Sequence, residues 1–211
     1  MRVLIFANGQ LPDLDAARAI IHPDDIIIAA DGGTRLILAL GRIPSVVIGD
    51  LDSITKDERR KIEEAGAQVI RFPRDKNETD LELAIQHARG LKPTQIIIVG
   101  ALGGRLDQTL GNIALLSNPK LATCNLQLDD GVEEAFFCRD QLEVRGRSGD
   151  LVSLIPWSGA VAGIRTEGLR WPLSDETLHP HKTRGISNEM LAETASIRIR
   201  SGLLLVVHRR S

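Results

Sequence analysis

The chain has 211 residues, of which 43% are apolar and 26% charged, a globular composition that excludes a disordered or low-complexity protein. Its 26 basic and 28 acidic residues leave a net charge of −2, which argues against a strongly basic nucleic-acid footprint, and 3% aromatics without Tyr argue against base-stacking platforms. No apolar run approaches the ~18 residues that span a bilayer; the apolar stretch in 1–9 is too short for a signal peptide, and Cys124 and Cys138 lack metal-type spacing, so a reduced, cytoplasmic protein without membrane or nucleic-acid partners is expected.

Up to about residue 120, two patterns alternate. Short β-branched runs at 3–7, 26–30, 46–48, 68–71 and 95–99 end in Gly or Asp. Helical spacing fills 13–21, 34–40, 56–65, 79–89 and 106–117. Ile26-Ile27-Ile28 and Ile96-Ile97-Ile98-Val99 are continuous apolar runs, as strands buried on both faces require. Such alternation predicts an α/β fold, a Rossmann-like mostly parallel sheet with helices on both faces. Thr79-Asp80-Leu81-Glu82 fits a capping box, and Gly41, Gly66 and Gly90 stand where helices should stop.

Beyond residue 121 the long helical periods vanish. Short runs at 124–128, 134–139, 151–155, 197–200 and 203–208 are separated by Gly, Ser, Asp and Pro. That texture predicts an antiparallel β-sandwich or barrel. Two domains follow, 1–120 and 121–211, with the boundary near Asn118–Leu121.

In a parallel α/β sheet, ligands sit beyond the carboxyl ends of the strands. The acids gather there: Asp31-Gly32-Gly33, Gly49-Asp50-Leu51-Asp52, Asp75 with Thr79-Asp80, and Gly103-Gly104-Arg105-Leu106-Asp107. Clustered like charges call for a cation. Asp50 and Asp52, at i and i+2 in extended chain, would point to one face and suit Mg²⁺. Asp31-Gly32-Gly33 serves either a helix cap or a close backbone approach to a nucleotide. Gly103-Gly104-Arg105 offers a flexible loop with a guanidinium for phosphate. There is no Walker A sequence and no GxGxxG fingerprint. In the second half, Trp171 fits either the sandwich core or a stack on a flat ring. The His179-Pro180-His181 loop reads as solvated surface.

These motifs, taken with Asn112 and the late Thr183-Arg184-Gly185-Ile186-Ser187-Asn188-Glu189, resemble the thiamine pyrophosphokinase family in order and over nearly the whole chain. The resemblance implies transfer of pyrophosphate from ATP to the thiamine hydroxyl, giving thiamine diphosphate and AMP. It also implies an N-terminal ATP/Mg²⁺-binding catalytic domain and a C-terminal thiamine-binding sandwich. A homodimer is implied too, with thiamine held between one subunit's catalytic domain and the other's sandwich. On this resemblance Asp50, Asp52 and Asp80 hold Mg²⁺, and Asp52, Asp80 and Asp107 are catalytic. Asp31, Gly32, Gly33, Gly103, Gly104, Arg105 and Asn112 line the ATP pocket. Trp171, Ser187 and Asn188 hold thiamine. Gln108 stands where bacterial members often carry His, and Asp75 has a less secure role than Asp80. Two alternatives fit the acids less fully: an Mg²⁺-dependent nucleotide-sugar transferase, and a non-catalytic nucleotide or thiamine sensor.

Overall fold

The strands and helices of the first 120 residues form where the apolar periods place them. The computed structural model describes residues 1–122 and 124–211. β1 (Arg2–Phe6), α1 (Leu14–Ile20), β2 (Ile26–Ala30), α2 (Gly33–Ala39), β3 (Val46–Gly49), α3 (Lys56–Glu64), β4 (Gln68–Arg71), α4 (Asp80–Gly90), β5 (Gln95–Val99) and α5 (Leu106–Leu116) lie close to expectation at both ends. A 3₁₀ turn, Pro119–Leu121, leads toward β6 (Asn125–Asp129). Thr55 and Glu58 make a complete capping box on α3, whereas on α4 Thr79 Oγ1 accepts from Glu82 N at 3.2 Å.

The chain divides into two compact units, Met1–Gly131 and Val132–Ser211. The first holds a parallel sheet in the order β6-β5-β1-β2-β3-β4. Its core includes Leu4, Phe6, Ile27, Ile37, Val47, Ile62, Ile97 and Val99. The chain steps outward from β1 to β4 and then returns to the other side of β1 with β5. Strand order therefore reverses between β1 and β5, the place where open α/β sheets form ligand crevices. The division falls later than the expected 120/121 boundary. Residues 125–128 of β6 pair parallel with β5, so this strand extends the first sheet instead of opening the sandwich.

The second unit contains β7 (Glu133–Cys138), β8 (Gln141–Arg145), β9 (Leu151–Pro156), β10 (Val161–Glu167), β11 (Ser174–Leu178), β12 (Asn188–Glu189), β13 (Thr194–Arg198) and β14 (Leu204–Arg209). They form two antiparallel layers, β12-β9-β14-β7 and β11-β10-β13-β8. Val152, Leu154, Leu204 and Val206 from one layer share a core with Val144, Ile164, Ala195 and Ile197 from the other. This is the expected sandwich. Among the described residues no helix is long and apolar enough to cross a membrane.

Candidate active site

At the strand-order reversal, Gly9 N donates to Gly100 O at 2.7 Å and ties the loop after β1 to the loop after β5. A cleft of about 600 Å³ opens there. Asn8, Asp31, Asp50, Lys76, Asp80 and Arg105 are among the residues that wall it. That volume suits a small molecule.

Asp31 leaves β2 in the left-handed region, with φ of 41°, and its N–H donates to Ile48 O at 2.8 Å. Ser53 Oγ donates to Asp31 Oδ2, whereas Asp31 Oδ1 is buried with no hydrogen bond. Asp50 and Asp52 do not come together through extended chain, as their spacing suggested. Leu51 between them has a φ of 66°, and Asp52 N donates to Asp50 Oδ1 at 3.1 Å, which closes a tight turn. Left-handed backbone at a leucine costs roughly 1 kcal/mol. Burial of the Leu51 side chain offsets it. The kink achieves what alternation would not: one carboxylate oxygen from each of Asp31, Asp50 and Asp52 lies within 4.8 Å of the others.

Asp80 enters at the first turn of α4. Gly49, at φ 150°, keeps the passage clear: a Cβ there would sit 2.9 Å from Asp31 Cβ and 3.2 Å from the Asp80 carboxyl carbon. Asp80 Oδ1 is buried and has no hydrogen bond. Lys76 Nζ lies 3.0 Å from it as an ion pair whose alignment falls short of a hydrogen bond. Burial pushes the Asp80 carboxyl above the ordinary carboxylate range, and the charges of Asp31 and Asp50 add to this while Lys76 opposes it. Hard oxygen donors with an orphaned buried lone pair fit a hard divalent cation. The three carboxylates that converge are those of Asp31, Asp50 and Asp52, with the unsatisfied Asp80 Oδ1 in the wall of the same cleft.

Other expected site residues divide by position. Gly103, Gly104, Arg105 and Asn112 do wall the cleft, and Asn112 Nδ2 donates to Ala101 O at 2.9 Å, which anchors the loop after β5. Gly32 and Gly33 do not. A Cβ on Gly33 would meet Phe6 O at 1.9 Å, and one on Gly32 would meet the Asn8 side chain at 2.3 Å. These glycines let α2 seat against the end of β1, and the Asn8 side chain packed on Gly32 is itself part of the cleft wall. Asp107 is also off the wall. Its exposed carboxylate is paired with Arg105, with Nε to Oδ1 at 3.1 Å, and that pairing holds its pKa below the ordinary carboxylate range. Asp75 is exposed, between Arg74 and Lys76 of the cleft wall.

In the second unit, Trp171 is 53% exposed, so the core reading fails. The Arg170 guanidinium carbon lies 5.3 Å from its ring centroid. Asn188 is buried and clamps the Trp171 backbone from both sides: Oδ1 accepts from Trp171 N at 3.0 Å, and Nδ2 donates to Trp171 O at 2.7 Å. Both ends of the amide are thus engaged in positioning the indole. Ser187 is exposed, with a φ of 58°, and its backbone N–H donates to Ser153 Oγ at 3.0 Å.

Sequence reasoning missed Asn8, Gly9, Gln10, Arg74 and Lys76 on the cleft wall. Asn8-Gly9 directly follows a buried strand, and Lys76 stands four residues before Asp80; both signals were present in the sequence.

Residues 17–128 match the family model "Thiamin pyrophosphokinase, catalytic domain", and residues 140–204 match "Thiamin pyrophosphokinase, vitamin B1 binding domain". The chain is 32% identical over 182 residues to thiamine pyrophosphokinase of Bacillus subtilis (strain 168), covering 85% of each chain. The crystal structure of thiamine pyrophosphokinase from Bacillus subtilis aligns with a TM-score of 0.89 at 28% identity over 100% of both chains. That of thiamin pyrophosphokinase from Geobacillus thermodenitrificans aligns with a TM-score of 0.84 at 25% identity, over 100% of this chain and 98% of the other. The acids of the cleft wall lie in the region matched by the catalytic model and the exposed indole in that matched by the vitamin model, and the chain belongs to the thiamine pyrophosphokinase family.

Proposed function

We propose that the cleft takes ATP with Mg²⁺ and carries the family's reaction, transfer of a pyrophosphoryl group to thiamine. The thiamine hydroxyl oxygen bonds to the β-phosphorus, the bond from that phosphorus to the α,β-bridging oxygen breaks, AMP leaves, and the hydroxyl loses its proton. The observation that carries this reading is the convergence of Asp31, Asp50 and Asp52 beside buried, unsatisfied carboxylate oxygens. Bound there, Mg²⁺ supplies charge neutralisation and alignment for the polyphosphate.

The chain's own residues do the rest. Asp31, Asp50 and Asp52 hold the ion, and Ser53 keeps one Asp31 oxygen occupied so that the other faces inward. Arg74 and Arg105, both largely exposed on the cleft wall, reach the phosphates. Asp80 orients the acceptor hydroxyl, and the acidic wall favours the cationic thiazolium. Trp171, held by Asn188, offers a stacking face for the flat rings of thiamine. The exposed Trp171, Ile186 and Leu191 support a homodimer in which this surface of one subunit meets the cleft of its partner. Free thiols at Cys124 and Cys138 support a reducing, cytoplasmic setting.

Purified protein supplied with ATP, Mg²⁺ and thiamine should release AMP and thiamine diphosphate in equal amounts. ADP with thiamine monophosphate would contradict attack at the β-phosphorus, and ligand binding without AMP would favour a sensor. Trp171→Ala should raise the KM for thiamine roughly tenfold with little change in kcat, because a lost stacking contact is worth about 1–2 kcal/mol in binding. Steady-state kinetics check this, and an unchanged KM removes Trp171 from the thiamine site.

A further inference from the structure

Lys76 is set apart from the other cations of the cleft by burial. Its side chain is 12% exposed, against 87% for Arg74 and 73% for Arg105. Lysine is seldom buried unless paired. Its ammonium donates to Pro73 O at 3.1 Å and lies 3.0 Å from Asp80 Oδ1. An ammonium has three donors, and the carbonyl uses one of them. The contact with Asp80 is close but misaligned, so both partners retain unused hydrogen-bonding capacity. Asp80 in turn feels the negative charges of Asp31 and Asp50. A largely buried positive charge thus stands at the edge of the carboxylate cluster, in the wall of a cleft proposed to take a polyphosphate.

We propose that Lys76 is a positioning residue: its ammonium stands in for a cation at Asp80 while the cleft is empty, and turns onto the polyphosphate when nucleotide arrives. A divalent ion among Asp31, Asp50 and Asp52 repels the ammonium, and incoming phosphate oxygens attract it. The move frees Asp80 Oδ1 for the acceptor hydroxyl. The same charge therefore competes with metal and assists nucleotide. Loss of that charge must shift the two ligands in opposite directions, which a purely structural lysine would not do. The inference rests on the reading of the cleft as a divalent-metal and ATP site.

The test is a pair of calorimetric titrations, Mn²⁺ alone and inorganic tripolyphosphate alone, on wild type, Lys76→Gln and Lys76→Arg. Lys76→Gln should bind Mn²⁺ about threefold or more tighter and tripolyphosphate about tenfold weaker, since one unit charge is removed a few ångströms from each ligand. Lys76→Arg keeps the charge and should resemble wild type in both titrations. Weakening of both ligands by Lys76→Gln, or no change in either, overturns the proposal. Wild type that binds no Mn²⁺ defeats the metal-site reading instead. Should Lys76→Gln fail to fold, Asp80→Asn carries the test from the other side of the pair. It releases a charged Lys76 and should tighten tripolyphosphate binding; weaker binding overturns the proposal.

Discussion

Asp50→Asn is expected to lower turnover by about a hundredfold or more while the thermal midpoint stays near that of wild type. Loss of one preorganised electrostatic contact to a transferring group costs on the order of 10²–10³ in rate. Asp50 is the sharpest choice because it belongs to the three-carboxylate cluster and also walls the cleft. The fold should survive, because the asparagine side-chain oxygen can still accept from Asp52 N and hold the turn. The substitution therefore separates charge from shape. Mn²⁺ affinity should fall together with kcat. Retained turnover, or lost turnover with undiminished metal binding, would remove Asp50 from the metal site.

His208→Gln should destabilise the second unit by about 3 kcal/mol, a fall in the melting midpoint of roughly 10 °C or more. His208 is fully buried on β14. Nδ1 lies 2.9 Å from Glu134 Oε1, and Nε2 lies 3.0 Å from Asp150 Oδ2. Burial alone would push the imidazole pKa down, but the hydrogen bonds and charges of Glu134 and Asp150 outweigh it and the net shift is upward. At Asp150, burial is likewise outweighed, by hydrogen bonds from Ser211, Arg147 and His208, and its pKa falls well below the ordinary range. Arg210 Nη2, 3.0 Å from Glu134 Oε2, completes the charged surroundings.

The pH dependence follows from these directions. The contribution of His208 is complete below its unfolded pKa of about 6.5 and is lost as pH rises through the raised folded value. The contribution of Asp150 is present above about 3.8 and is lost as pH falls toward its depressed folded value. Wild type should therefore lose stability on the alkaline side of neutrality, and His208→Gln should flatten that arm. Thermal melts between pH 5 and 9 check both statements. Parallel profiles for the two proteins would show that the imidazolium does not carry the effect.

The parallel half of the fold was legible because its signals are local. Ile26-Ile27-Ile28 and Ile96-Ile97-Ile98-Val99 can bury themselves only inside a covered sheet, and Thr55 and Thr79 mark helix starts through their own hydroxyls. β8 and β11 are illegible for the opposite reason. Gln141-Leu142-Glu143-Val144-Arg145 alternates charge with a thin apolar side, and Ser174-Asp175-Glu176-Thr177-Leu178 buries little. Such strands are fixed by their neighbours rather than by their own composition. β6 was found as a strand but assigned to the sandwich, because nothing in Asn125-Leu126-Gln127-Leu128 reveals which partner it will take.

The site shows the same limit. Strand-end acids predicted a cation, and Asp31, Asp50 and Asp52 do converge. Their means of convergence, a left-handed leucine and a serine-held carboxylate, depends on backbone geometry that spacing does not encode. Glycine beside an acid suggests a nucleotide cradle at Gly32-Gly33, and only the path of β1 shows how closely Phe6 and Asn8 pack against these two residues. Asp107 is equivalent to the other acids by sequence, and only the structure shows its carboxylate paired with Arg105.

The most direct test is a crystal structure with Mg²⁺ and α,β-methylene-ATP, whose bridging carbon blocks the transfer. Carboxylate oxygens of Asp31, Asp50 and Asp52 should approach the ion, with direct ligands at about 2.1 Å and the β-phosphate on the same ion. An ion bound to phosphate alone, with those three side chains turned away, would contradict the account.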